Sequence, residues 1–569
     1  MSAKAASLLE TLLIVVALAT GLDARADVLA TMPPLPPGPY AVGCSNVAQD
    51  FSRLLPGELS PDYWEGTPDG GRQRYVTNLL AEPSNVFEQS VAVPGDSELY
   101  GKFAGAAIDT VTLVCYPTTA DNPRPNYALP TGRLIPHMQR GSEGPIWADA
   151  TTRFPVLLFS HGLTGSPISN DYIEAINVFV RRGYVVVAPF HGDPRIADVN
   201  IENFSDILYA LAHFRDFVAL QAVRPLELHA VLDALLAKPE WSARVDAGRI
   251  GAFGASIGGQ SVMLLGGAAL TTTIGLSSKP VLTDPRVTAA VGYVPYFGIS
   301  VYPAFGRDQK GLDNVTLPFL ALSGTADTTA PIGPTRDGIH RLVNTHELVA
   351  LQGVQHGFDP AFSNDIFTWS LAFLAGQLSG DPVARAASAR MTSVAGGGDD
   401  RLEQDYIAPS PAAADERIAI EYYNVSLDHY FITTELAEAA MLDAGIIVPG
   451  WQRTGYNFKV RPLGDPRGLF ACRFFGTPGI GPNSHFFTID HAECDKVKAN
   501  PFWTFEGLAF NADAPANAEC PFDRVPVIRL YNNGKGGQAS HRYTTSHSET
   551  GDLLGEGWII EGPVFCGLP

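Results

Sequence analysis

Basic residues are scarce: the chain of 569 residues carries 39 Lys and Arg against 59 Asp and Glu, a formal net charge of -20. No run of Lys and Arg interrupts that balance. Such a surface repels a polyanion, so nucleic acid is excluded as a partner. Cysteine is scarce too, with six residues and no Cys-x-x-Cys pair, which excludes the usual zinc clusters and dithiol redox motifs. No apolar stretch reaches the roughly 20 residues of a spanning helix, so no membrane span is expected. Charged residues make up only 17% of the chain, but 46% are hydrophobic, enough to build real cores.

The length implies more than one compact unit. At the start, Lys4 precedes an apolar run over residues 12–19, followed by Ala24-Arg25-Ala26. That small-x-small pattern predicts an export signal over residues 1–26, although Glu10 is unusual there, and hence a secreted or periplasmic protein. The cysteines suit that compartment. Cys44 and Cys115 fall in the N-terminal part, and Cys472, Cys494, Cys520 and Cys566 in the last hundred residues. Even numbers in each region predict disulfides, with three connectivities open for the last four.

Over residues 109–382, short β-branched runs alternate with longer amphipathic stretches, which predicts an α/β domain with a mainly parallel sheet. Strands are expected at 110–116, 154–160, 184–189, 249–254, 287–294, 319–324 and 346–351. Residues 220–236 show apolar residues at helical spacing. From 384 to 414 the composition turns to Ala, Gly, Ser, Pro and Asp, which reads as a linker, although 401–407 is not low-complexity. The expected division is therefore a catalytic domain at 27–383, a linker at 384–414 and a C-terminal module at 415–569.

That module repeats three times. His429, His485 and His541 are spaced 56 residues apart, and each is followed by a short acidic helix-like stretch. Trp451, Trp503 or Trp558 comes next, then Gly455, Gly507 or Gly562, then Phe458, Phe510 or Phe565. Units of this size cannot bury a core alone, so a mostly β, pseudo-threefold domain is expected. A glycan or surface ligand is one use for its aromatics; service as the core of each repeat is the other.

The chemistry concentrates in the α/β part. Gly254-Ala255-Ser256-Ile257-Gly258 matches the G-x-S-x-G elbow, with a strand-like run before it and a helix-like run after it. A serine hydroxyl needs a base to take its proton, and the base needs an acid to fix its tautomer. Asp327 follows the run 319–324, and His356 follows the run 346–351. The order Ser256, Asp327, His356 is that of an α/β-hydrolase triad. Asp359 is the alternative acid, and His340 and His346 are weaker candidates for the base. An oxyanion hole is expected from the backbone N–H groups of Ile257 and Leu163, the latter in Ser160-His161-Gly162-Leu163-Thr164-Gly165. His161 is read as a brace for that loop. No metal or other cofactor is called for.

Three segments carry a family resemblance: Pro37-Gly38-Pro39-Tyr40-Ala41-Val42-Gly43-Cys44, Phe154-Pro155-Val156-Leu157-Leu158-Phe159-Ser160-His161-Gly162-Leu163, and the elbow with Gly259. Over roughly residues 35–380 the chain resembles the platelet-activating-factor acetylhydrolase group of α/β-hydrolases. Asp327-Thr328-Thr329-Ala330-Pro331 is also similar to bacterial dienelactone-hydrolase and cutinase-like polyester hydrolases. The resemblance implies an esterase or lipase without metal, with catalytic roles at Ser256, Asp327 and His356. Ala255 departs from it, standing where those families usually have His. The C-terminal repeats resemble an uncharacterised module appended to secreted bacterial hydrolases. The expected substrate is a carboxylic ester of a lipid, short acyl chain or insoluble polyester. A binding or adhesive protein with an inactive hydrolase domain and a peptidase of the same fold remain as alternatives.

Overall fold

The computed structural model describes residues 30–45, 47, 87–129, 132–139, 143–197, 212–274, 276–408, 412–446 and 448–569. The expected export signal lies outside the described residues. Ten strands form the central sheet: β1 (Ala41–Cys44), β2 (Phe87–Ala92), β3 (Ala107–Thr118), β4 (Phe154–Ser160), β5 (Val185–Pro189), β6 (Val245–Ala255), β7 (Val287–Tyr293), β8 (Phe319–Gly324), β9 (His346–Leu351) and β10 (Asp400–Tyr406). Their order is β10-β9-β8-β7-β6-β4-β5-β3-β1, with β2 paired to β3. The six strands from β9 to β5 run parallel, while β10, β3, β2 and β1 join antiparallel.

The central strands are continuous apolar runs because helices cover both faces of the sheet. Val156 and Leu158 of β4 enter one core, with α2 (Phe214–Ala237) and α3 (Ile257–Leu265). Leu157 and Phe159 enter the other, with α1 (Asn170–Arg181) and α4 (Ser363–Leu378). All seven expected strands are present.

The stretch 384–414 is not a linker over most of its length. It includes most of helix α5 (Pro382–Ala389), a strand Met391–Val394 and β10, which closes one edge of the sheet against β9. Its Ala and Gly content misled because small residues also let elements pack closely. A Cβ at Gly397 would lie 2.1 Å from the Asp365 carboxylate, and one at Gly398 would lie 2.1 Å from the Phe362 ring.

The C-terminal region forms three antiparallel sheets of three strands each: β11 (Arg417–Asn424), β12 (His429–Thr433) and β13 (Trp451–Val460); β14 (Leu469–Gly476), β15 (His485–Thr488) and β16 (Trp503–Ala512); β17 (Val525–Tyr531), β18 (His541–Thr544) and β19 (Ile559–Gly567). Phe458, Phe510 and Phe565 share one buried core with Phe431, Phe487 and Tyr543. The sheets meet in a cycle. Arg473 pairs with Glu438 of the preceding unit and lies over Phe431, and Arg529 repeats this with Glu493 and Phe486. At the third junction Glu421 takes the strand position of those arginines. The guanidinium there comes from Arg542, which lies over Tyr430 and pairs with Glu421 and Glu549.

The even spacing of the three histidines hides a one-residue offset. His485 pairs with Phe475 and His541 with Tyr531, but His429 pairs with Asn424, one place further along its strand. Tyr430 is therefore the counterpart of His485 and His541. The first hairpin holds five residues in its second strand where the others hold four.

Disulfides join Cys44 to Cys115, Cys472 to Cys494 and Cys520 to Cys566. The module docks on α5 and β10. Arg390 donates to the carbonyls of Cys520, Pro521 and Arg524. The Asp405 carboxylate accepts from the N–H groups of His547 and Ser548 and from both Ser546 and Ser548 hydroxyls. It thus caps the helix His547–Gly555 from another domain, an arrangement worth about 1 kcal/mol. Asp405 lies at the end of β10 that pairs with the amino end of β9.

Glu347 sits directly across from Asp405, buried, with no hydrogen-bond partner for Oε2 among the described residues. Burial first, and the Asp405 charge second, push its pKa up to about 8 from 4.5. The folded chain then binds a proton more tightly than the unfolded one. This contribution to stability is complete below pH 4.5 and is lost as pH rises through about 8. Between pH 5 and 9 the wild type should lose roughly 2 to 5 kcal/mol that Glu347→Gln retains. Parallel urea titrations across that range check it, and identical pH slopes would refute it.

Candidate active site

The elbow glycines are forced by contact. A Cβ at Gly254 would lie 2.1 Å from the Gly258 carbonyl oxygen, and one at Gly258 would lie 2.0 Å from the Ser160 carbonyl oxygen. Strand β6 can turn into α3 only without those side chains. Ser256, between them, holds φ 55° and ψ -124°, a conformation costing about 1–3 kcal/mol. The Ser256 N–H bonds the Tyr293 carbonyl, and the Tyr296 N–H bonds the Ser256 carbonyl, so neighbouring β7 fixes the strained turn. The hydroxyl is left half-buried at the carboxyl end of the sheet.

Asp327 follows β8 and is buried. Its Oδ1 accepts the N–H groups of Thr329 and Ala330, both at 2.8 Å, which closes a tight turn and fixes the carboxylate plane. Oδ2 accepts the Nδ1–H of His356 at 2.8 Å. With that proton on Nδ1, Nε2 accepts the Ser256 hydroxyl at 2.9 Å. The loop carrying His356 is anchored by Tyr293, whose hydroxyl donates to the Gly357 carbonyl at 2.6 Å and whose ring stacks on Phe358. Residues 71 and 29 positions apart along the chain thus meet because β6, β8 and β9 end at one edge.

The loop after β4 faces the elbow: a Cβ at Gly162 would lie 3.6 Å from that of Ser256. Among the described residues, the N–H groups of Leu163 and Ile257 find no protein acceptor. Tyr172 accepts the Gly162 N–H at 3.0 Å. His161 is buried and donates to the Gly162 carbonyl, so it faces the loop and not the serine. His340 and His346 are not joined to Ser256, and Asp359 caps the short turn Pro360–Phe362. A cavity of about 710 Å³ beside Phe214 and Thr272 is lined by none of these groups.

Comparison with known proteins bears on the C-terminal region. Residues 418–568 match a domain of unknown function, DUF5648. One match spans all three repeats, as expected of units that share a single buried core. The DUF5648 module lies outside the site just described, and the match assigns no family to the α/β part. No curated protein matches the chain.

Sequence reading missed the buried polar groups behind the Gly162 loop: Asp193, Arg224, His191 and Glu227. The run 220–236 read above as helical belongs to the largely buried α2, which begins earlier, at Phe214.

Proposed function

We propose that the chain is an exported serine hydrolase of carboxylic esters, built on an α/β-hydrolase fold, with Ser256 as nucleophile. The observation that carries the reading is the hydrogen-bonded series Ser256 Oγ to His356 Nε2 and His356 Nδ1 to Asp327, at 2.9 and 2.8 Å. His356 takes the Ser256 proton as the hydroxyl attacks the ester carbonyl and returns it to the leaving alcohol. Water, deprotonated by the same imidazole, then releases the acid. The N–H groups of Leu163 and Ile257 receive the oxyanion. The sheet order and the strained serine turn between β6 and α3 support the fold assignment, and the three disulfides support export. Substrates are carboxylic esters of a lipid, short acyl chain or polyester, and no metal or cofactor enters the chemistry.

The test is turnover of p-nitrophenyl butyrate together with inactivation by an alkyl fluorophosphonate. One label per chain on the peptide containing Ser256, lost in parallel with activity, is expected. Hydrolysis that persists after complete labelling would remove the reading.

A further inference from the structure

Behind the Gly162 loop lies a wholly buried polar cluster that the chemistry above leaves unused. Arg224, from the middle of α2, and Asp193 both have fully buried side chains. Arg224 Nε donates to Oδ1 at 2.8 Å and Nη2 to Oδ2 at 2.6 Å, a two-pronged pair. The guanidinium also reaches backbone, with Nη1 donating to the His161 carbonyl at 2.7 Å and Nη2 to the Gly162 carbonyl at 3.0 Å. Asp193 Oδ2 accepts the Thr164 N–H at 2.8 Å, and Thr164 holds a φ of 58°. Such a backbone is rare for a β-branched residue and needs outside support.

Histidines complete the cluster. Burial first, and Arg224 second, hold the His161 pKa down at about 3, so the ring is neutral. Its Nδ1–H donates to the Gly162 carbonyl at 2.8 Å while Nε2 accepts the His191 N–H at 3.2 Å. His191 in turn bridges Ser160 Oγ and Glu227.

An apolar pair would join α2 to the loop without the cost of burying two charges. What the guanidinium adds is direction. A trans peptide points its C=O and N–H to opposite sides. Holding the Gly162 oxygen inward, on Arg224 and His161, therefore turns the Leu163 N–H outward, on a loop whose glycine abuts Ser256. We propose that Arg224 is a positioning residue for ester hydrolysis, which presets the Leu163 N–H as an oxyanion donor through two carbonyls and Asp193. The inference rests on the serine-esterase reading above.

Two variants test it. Arg224→Lys keeps a charge opposite Asp193, but one ammonium cannot serve the carboxylate and both carbonyls. Arg224→Gln combined with Asp193→Asn removes both charges of the pair together and is read if the lysine variant does not fold. In a folded variant kcat for p-nitrophenyl butyrate should fall about 100-fold with KM within about threefold. Inhibition by an alkyl trifluoromethyl ketone, whose serine adduct carries the same oxyanion, should weaken by a similar factor. A population of misfolded molecules would lower kcat without moving that inhibition constant. Wild-type kcat and ketone affinity in a folded variant would overturn the inference alone. A wild type that hydrolyses no ester, or does so without Ser256, would overturn both it and the esterase reading.

Discussion

Replacing Ser256 with Ala should lower kcat for p-nitrophenyl butyrate by about 10⁴ to 10⁶-fold while the protein stays folded. The size follows from what is lost. Without the hydroxyl no acyl-enzyme can form, and the remaining route is attack by water on an ester held by the Leu163 and Ile257 N–H groups. Binding and oxyanion stabilisation alone leave a residual of about 10³-fold over uncatalysed hydrolysis. The fold should survive because the contacts that hold the strained turn are made by backbone: Ser256 N–H to Tyr293 and Tyr296 N–H to Ser256. Alanine keeps the same Cβ, and among the described residues the only side-chain bond removed is the one to His356. The check is steady-state turnover beside thermal melting. An unchanged melt with a collapsed rate is the expected pair, and equal rates for the two proteins would end the assignment of Ser256.

The candidate site was legible in the sequence because its geometry is local at each of three places. The elbow needs glycines within two residues of the serine, and Asp327 and His356 each stand just past a strand whose Val, Leu and Ala content marks it as buried. What stayed hidden was set by contacts distant in sequence. Arg224 and Glu227 are polar residues three apart in an apolar helical run, which signals a buried polar cluster, but nothing nearby says that Asp193 and the Gly162 loop complete it. The role of β10 was hidden for a similar reason. Its many charged residues suit an edge strand, yet pairing with β9 and capping a helix about 140 residues later depend on tertiary contacts. The third junction of the DUF5648 module shows the limit of repeat reading. Glu421 stands where the other two junctions have Arg473 and Arg529, Arg542 stands where they have Phe431 and Phe486, and a one-residue offset in the first hairpin shifts His429 out of register.

Asp327→Asn should cost about 10⁴-fold in kcat with little change in structure, a loss out of proportion to replacing one oxygen by an amide. The reason lies in the three bonds the carboxylate accepts. Oδ1 is committed to the N–H groups of Thr329 and Ala330, and Oδ2 to His356 Nδ1–H. Asparagine has only one acceptor oxygen, and the two backbone donors are fixed by the turn, so the oxygen stays with them. The amide NH₂ then faces Nδ1, which can meet it only as an acceptor. The imidazole proton moves to Nε2, directly opposite Ser256 Oγ, and the ring can no longer take the serine proton. Reversing the amide would instead place its NH₂ against two N–H groups in a buried turn. Asp359→Asn, by contrast, should leave the rate within a few-fold, since that carboxylate bonds the Ala361 N–H and not the imidazole. Measuring both variants over a range of pH separates the cases. An Asp327→Asn enzyme near wild-type speed would mean that His356 is oriented by some other group, and a collapse in Asp359→Asn would name it.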